Sequence, residues 1–131
     1  MNTRGKILQS AEAAERAQAF RASATPYTLV CSTFDVLTAP RLRRLREIAA
    51  TGNRLIAVVT NPPNPLLPRR ARAELAAALA IIEFVVLAEE PHAPFLASLG
   101  PASVIDEAPE DELRTADLIE HVQRKNSAAR D

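Results

Sequence analysis

Four short apolar runs divide the chain: residues 27–32 (YTLVCS), 54–60 (RLIAVVT), 84–88 (FVVLA) and 102–106 (ASVID). Each has the length and the near-continuous hydrophobicity of a strand buried on both faces. Between them the period changes to that of a helix. Over residues 40–50, Leu42, Leu45, Ile48 and Ala49 share one face, while Arg43, Arg44, Arg46 and Glu47 lie away from it. Thr38 stands at the cap position, Pro40 in the first turn and Gly52 at the glycine stop. Helices are also expected over 6–24, 69–82, 92–99 and 111–126. The first of these has only a weak apolar face (Ala13, Ala14, Ala17, Phe20) and ends before Pro26.

Strands alternating with helices imply a three-layer, doubly wound α/β domain with a parallel sheet of four core strands. The 131 residues fit one domain, 1–131, with residues 1–25 as an N-terminal helical extension. Sixteen basic residues balance sixteen acidic ones, which removes the electrostatic case for nucleic acid or a membrane surface as partner. A single cysteine, Cys31, leaves no internal disulfide and no cysteine-built zinc site. The first residues contain no apolar signal region, and the longest apolar stretch, 75–88, carries Glu83 and is too short to cross a bilayer. A cytoplasmic domain is expected.

In such sheets ligands bind beyond the carboxyl ends of the strands, where strand order reverses. The loop over 31–41 after the first long strand is therefore the first candidate, since it leads into a helix N-terminus, which favours anions. Neither GxGxxG nor GxxxxGK[ST] occurs there. An acidic cluster of Asp106, Glu107, Glu110, Asp111 and Glu112 follows the fourth run, and it reads as a solvated turn rather than a magnesium site. His92 and His121 form no paired motif, and both read as surface residues.

The stretch YTLVCSTFDVLTAPRLRRLREIAATGNRLIAVVTN resembles the opening of the cytidylyltransferase-like nucleotidyltransferases, whose first strand leads into F-D-x-L-H-x-G-H. PLLPRRARAELAAALAIIEFVVLAEE and RTADLIEHVQ are similar to later segments of that family. GKILQSAEAAERAQAFRA resembles the lead-in of its heptose-1-phosphate adenylyltransferase branch. The resemblance implies that the residues matching its nucleotide- and phosphate-binding positions are Thr33, Phe34, Asp35, Arg41, Arg72 and Thr115, with a magnesium-bound nucleotide, ATP or CTP, as ligand if the pocket survives.

The sequence also departs from the family. Thr38-Ala39-Pro40-Arg41 stands in place of H-x-G-H, so both phosphate-stabilising histidines and the glycine are replaced. The loop NPPNPLLP lacks the family's lysine, and DEAPED replaces its K-G-x-D-Y-like segment. Such transfer depends on positioning and on stabilising phosphate charge, so these losses argue against turnover. No residue is assigned a catalytic role and none a metal. Arg41 reads as a phosphate contact or, by default, as a solvated arginine in RLRRLR. Asp35 reads as shaping its loop. Arg72 binds phosphate or pairs with Glu74 or another surface acid, and Thr115 caps the last helix or contacts phosphate.

The expected function is a degenerate nucleotidyltransferase-like domain, catalytically inactive and retained for nucleotide or anion binding or for protein interaction. The alternative is an active enzyme moving AMP or CMP from ATP or CTP onto a sugar or alcohol phosphate. A homodimer or a paralogue partner would cover the edge left by the family's missing fifth strand.

Overall fold

The computed structural model describes residues 3–90, 92–100, 103–107 and 119–125. The elements run β1 (Ile7–Leu8), α1 (Ser10–Ala22), β2 (Tyr27–Ser32), α2 (Ala39–Ala49), β3 (Arg54–Val59), α3 (Arg69–Ala77), β4 (Ile82–Leu87), α4 (His92–Leu99) and β5 (Ser103–Asp106). A short 3-10 turn, Thr3–Lys6, precedes β1, and residues 119–125 are helical. The strands form one parallel sheet in the order β1-β4-β3-β2-β5. Among the described residues, no helix is long and apolar enough to cross a membrane.

Side-chain alternation splits the core into two layers, one on each face of the sheet. Leu29, Cys31, Ile56, Val58, Phe84 and Val86 pack with Ala13 and Ala17 of α1 and with Phe95 and Leu99 of α4. Val30, Leu55, Ala57, Val59 and Val85 pack with Leu45 and Ile48 of α2 and with Ala73, Ala76 and Ala77 of α3. The result is the Rossmann-like, three-layer α/β/α arrangement that the alternating pattern predicts. Ala13 and Ala17 of α1 and Ala73, Ala76 and Ala77 of α3 are fully buried, so these helices seat their backbones close to the sheet. The weak apolar face of α1 is strengthened by Phe20, whose ring lies 5.7 Å from Tyr27 and 6.2 Å from Phe84.

Two boundaries differ from expectation. Residues 7 and 8 are not helical: they pair with Val85 and Val86 and add a short fifth strand outside the four core strands. Lys6 Nζ anchors this strand by donating to the carbonyls of Leu79 and Ile82, at 3.2 and 2.9 Å. The outer edge of β4 is thereby covered by the chain's own N-terminal segment. The helix expected over 69–82 stops at Ala77 because Ile82 is taken into the sheet opposite Leu55. Tertiary pairing overrides local helix propensity at both places, that of Ala78 and Ala80 included.

Consecutive strands β2, β3 and β4 step outward in one direction, and β5 lies on the other side of β2. Strand order therefore reverses between β2 and β5, and the carboxyl ends of these two strands mark the place where this fold class binds its ligands.

Candidate functional site

Beyond β2 the chain turns sharply at Phe34, which has φ +52° although it carries a side chain. The left-handed conformation is disfavoured for a bulky residue and persists only where the surroundings enforce it. The Phe34 ring is fully buried among Leu45, Val59 and Ala73, so it is a core residue that fixes the loop. Asp35, also buried, spans to the proline loop. Its Oδ2 accepts the Leu66 N–H at 2.6 Å and its Oδ1 accepts the Leu67 N–H at 2.7 Å. The carboxylate thus replaces a backbone ladder in a segment whose four prolines supply no donors.

Arg72 closes the same corner from α3. Its Nη1 donates to the carbonyls of Thr60, at 2.6 Å, and Thr33, at 3.2 Å, and its Nε donates to that of Leu67 at 3.2 Å. One guanidinium therefore ties together the ends of β2 and β3 and the proline loop. Burial pulls its pKa down from the ordinary value, an effect the Asp35 charge opposes. Glu74, the acid expected as an alternative partner, pairs with Arg70 at 3.5 Å.

Arg41 departs from its default reading. It is 3% exposed, on the same stripe of α2 as Leu45 and Ile48. Its Nη2 donates to Ser32 Oγ at 3.1 Å, and its Nη1 lies 3.7 Å from Glu107 Oε2. Glu107 corrects a second expectation. This member of the acidic cluster is 5% exposed, not solvated. Its other oxygen, Oε1, accepts from Arg44 Nε at 2.8 Å, and that bond raises the pKa of Arg44. Its backbone N–H donates to the Cys31 carbonyl at 2.8 Å, which continues the β2–β5 ladder by one residue. Thr38, Ala39 and Pro40, the other residues in the H-x-G-H positions, are exposed.

The predicted residues fall into two groups. Thr33, Asp35 and Arg72 knit the loops after β2 and β3 into one unit, with Phe34 as its hydrophobic pin. Arg41 stands apart with Ser32, Arg44 and Glu107. Thr115, Glu110, Asp111 and Glu112 lie outside the described residues. Sequence reasoning missed Ser32, Arg44 and the role of Glu107. The spacing Arg41, Leu45, Ile48 does place Arg41 on a buried stripe, and that signal was available. Thr60, 4% exposed at the end of β3, holds a buried hydroxyl with no hydrogen-bond partner among the described residues. Among those residues no cluster of three His, Cys, Asp or Glu side chains is arranged to hold a metal ion.

Cys31 is the penultimate residue of β2, just before the loop. Burial, and secondarily the charge of Asp106, pushes its thiol from 9.0 up to about 11. The folded protein therefore keeps a proton that the unfolded chain releases between these values. Stability is expected to be unaffected by this group below pH 9 and to fall as pH rises from 9 through 11. Urea midpoints measured across that range should drop, and Cys31→Ala should flatten the drop.

The fold is similar to that of the lipopolysaccharide core biosynthesis protein from Thermoplasma volcanium GSS1, with a TM-score of 0.55 and 18% sequence identity over 60% of this chain and 71% of that one. At that identity the likeness is one of fold. No family model matches the sequence, and no curated protein matches it.

Proposed function

We propose that the chain is a nucleotidyltransferase-type domain that no longer catalyses transfer and is retained to bind a nucleotide or another anion at the reversal between β2 and β5. One observation carries the reading. The residue standing for the second histidine of H-x-G-H, Arg41, points inward at the carboxyl end of β2, and its charge is met by the protein's own Glu107. A group that must stabilise developing phosphate charge has to be free to engage it. Arg72, the other candidate cation, is committed to three backbone carbonyls. The fold likeness to a biosynthesis protein supports the general type.

The ligand in this reading is ATP or CTP with magnesium, held weakly because its phosphates compete with an internal carboxylate. Retention for contact with a second protein remains the other outcome of the same test. Pyrophosphate release from ATP and from CTP, with magnesium and a sugar phosphate acceptor, is expected to stay at the buffer rate. Titration calorimetry is expected to give saturable binding of roughly millimolar strength. Turnover that Arg41→Ala abolishes would establish an active enzyme instead. No heat with either nucleotide would redirect the search to protein partners.

A further inference from the structure

We propose that β5 is the interface for a second copy of this chain: two β5 strands pair antiparallel about a two-fold axis, with each Val104 opposite its copy, and the two sheets become one. The inference goes beyond the binding-domain reading and does not depend on any ligand.

The two edges of the sheet are built differently. β1 has only two residues and follows Lys6, and so short a strand beside a lysine offers little to an incoming strand. β5 has four residues, Ser103-Val104-Ile105-Asp106, and among the described residues it pairs on one side only, with β2. It carries neither proline nor lysine, and its one charge is Asp106. Val104 is 44% exposed, whereas Leu29, beside it on β2, is fully buried.

The phase of the ladder turns the Val104 backbone outward. The Glu107 N–H donates to the Cys31 carbonyl at 2.8 Å. Successive residues of a strand turn their N–H and C=O to opposite sides, so Ser103 and Ile105 also face β2. The N–H and C=O of Val104 therefore face away from it. A residue with both groups outward is what an antiparallel hydrogen-bonded pair requires, since the two opposed residues exchange both bonds.

Side chains and charge select the register. A two-fold axis normal to the sheet returns each face to itself. A residue then meets its own copy or one an even number of places away. With the axis at Val104, the two valines meet on the face that Leu29 shares with α1 and α4. Ser103 of one protomer stands opposite Ile105 of its partner. Asp106 and its copy lie four positions apart along the pair, roughly 14 Å. An axis at Ile105 would set Asp106 against Val104. An axis at Asp106 would oppose two like charges, which a cross-strand pair disfavours. One strand thus supplies donor, acceptor and apolar contact to its own copy, and a closed two-fold pair leaves neither β5 edge open.

The interface is small, so a weak dimer is expected. Sedimentation velocity of the full chain should show a 14.2 kDa monomer at about 5 µM and a shift toward twice that mass by about 500 µM. Val104→Lys places two cations on the axis and should hold the chain monomeric throughout. Cysteine cross-linking tests the register. Opposed Cα atoms in a hydrogen-bonded pair lie about 5.5 Å apart, within disulfide range. Copper-phenanthroline oxidation should link Val104→Cys into a dimer on a non-reducing gel. The copies of Ser103 lie on a diagonal of about 7–8 Å, so Ser103→Cys should link at least about 10-fold more slowly. The native Cys31 is buried, so the wild-type chain should not link.

A wild-type chain that stays monomeric to about 500 µM overturns the proposal and leaves this edge to a different protein or to another part of the chain. So does association of V104K equal to that of the wild type, or faster linkage of S103C than of V104C. If circular dichroism shows V104K unfolded, the two cysteine variants decide alone, since both nearly preserve side-chain size.

Discussion

Arg72→Ala is expected to destabilise the protein by roughly 3–5 kcal/mol, because each buried acceptor left without its donor costs about 1–3 kcal/mol. Three carbonyls lose their partner at once: Thr60, Thr33 and Leu67. They belong to three separate segments, so no local rearrangement can satisfy them together. The side chain is buried, so its removal also leaves a void. Urea denaturation followed by circular dichroism measures the loss. Arg72→Lys separates charge from geometry. A lysine ammonium keeps the charge but lacks the planar fork that reaches three carbonyls, so it should recover less than half the stability. Full recovery by lysine would show that Arg72 acts as a charge and not as a three-way brace.

Asp35→Ala should cost about 1.5–3 kcal/mol, since hydrogen bonds to a charged group each contribute about that much and the freed N–H groups can turn to water. The two N–H groups belong to Leu66 and Leu67, in a loop whose residues are mostly exposed. Its effect on local order should exceed its effect on global stability. Limited digestion with chymotrypsin is therefore the sharper measurement, with faster cleavage after Leu66 than in the wild type. Asp35→Asn keeps the shape but turns an amide donor toward a backbone donor. It should lose most of what alanine loses. A digestion pattern unchanged in both variants would show that the prolines alone hold the loop.

These two side chains show where sequence reading works and where it stops. The four core strands were legible because each is an apolar run of strand length between helical patterns, and the sheet that buries both faces demands such runs. Asp35 could be read as a loop-shaping residue. Its partners, 31 and 32 residues away in the proline loop, could not, because nothing local specifies them. Arg41 was hidden by its neighbours: in RLRRLR the eye finds a charged face, although the stripe of Arg41, Leu45 and Ile48 runs inward. Glu107 carried no local sign at all. In an acidic run it looks like any solvated carboxylate, and only the placement of β5 against β2 brings it to the arginines. The two-residue β1 was equally unreadable, since so short a strand has no period and owes its conformation to β4.

That edge strand orders events during synthesis. Domains form as their segments emerge, N-terminal residues first. Lys6 leaves the ribosome well before Ile82, whose carbonyl it holds and which lies 76 residues downstream. Ile7 and Leu8 likewise have no partner until Val85 and Val86 exist. The central pairing of β2 with β3 joins residues much nearer in the chain and can form while β4 is still being made. Lys6, Ile7 and Leu8 are thus the last part of this edge to be locked, since their partners are made only with β4.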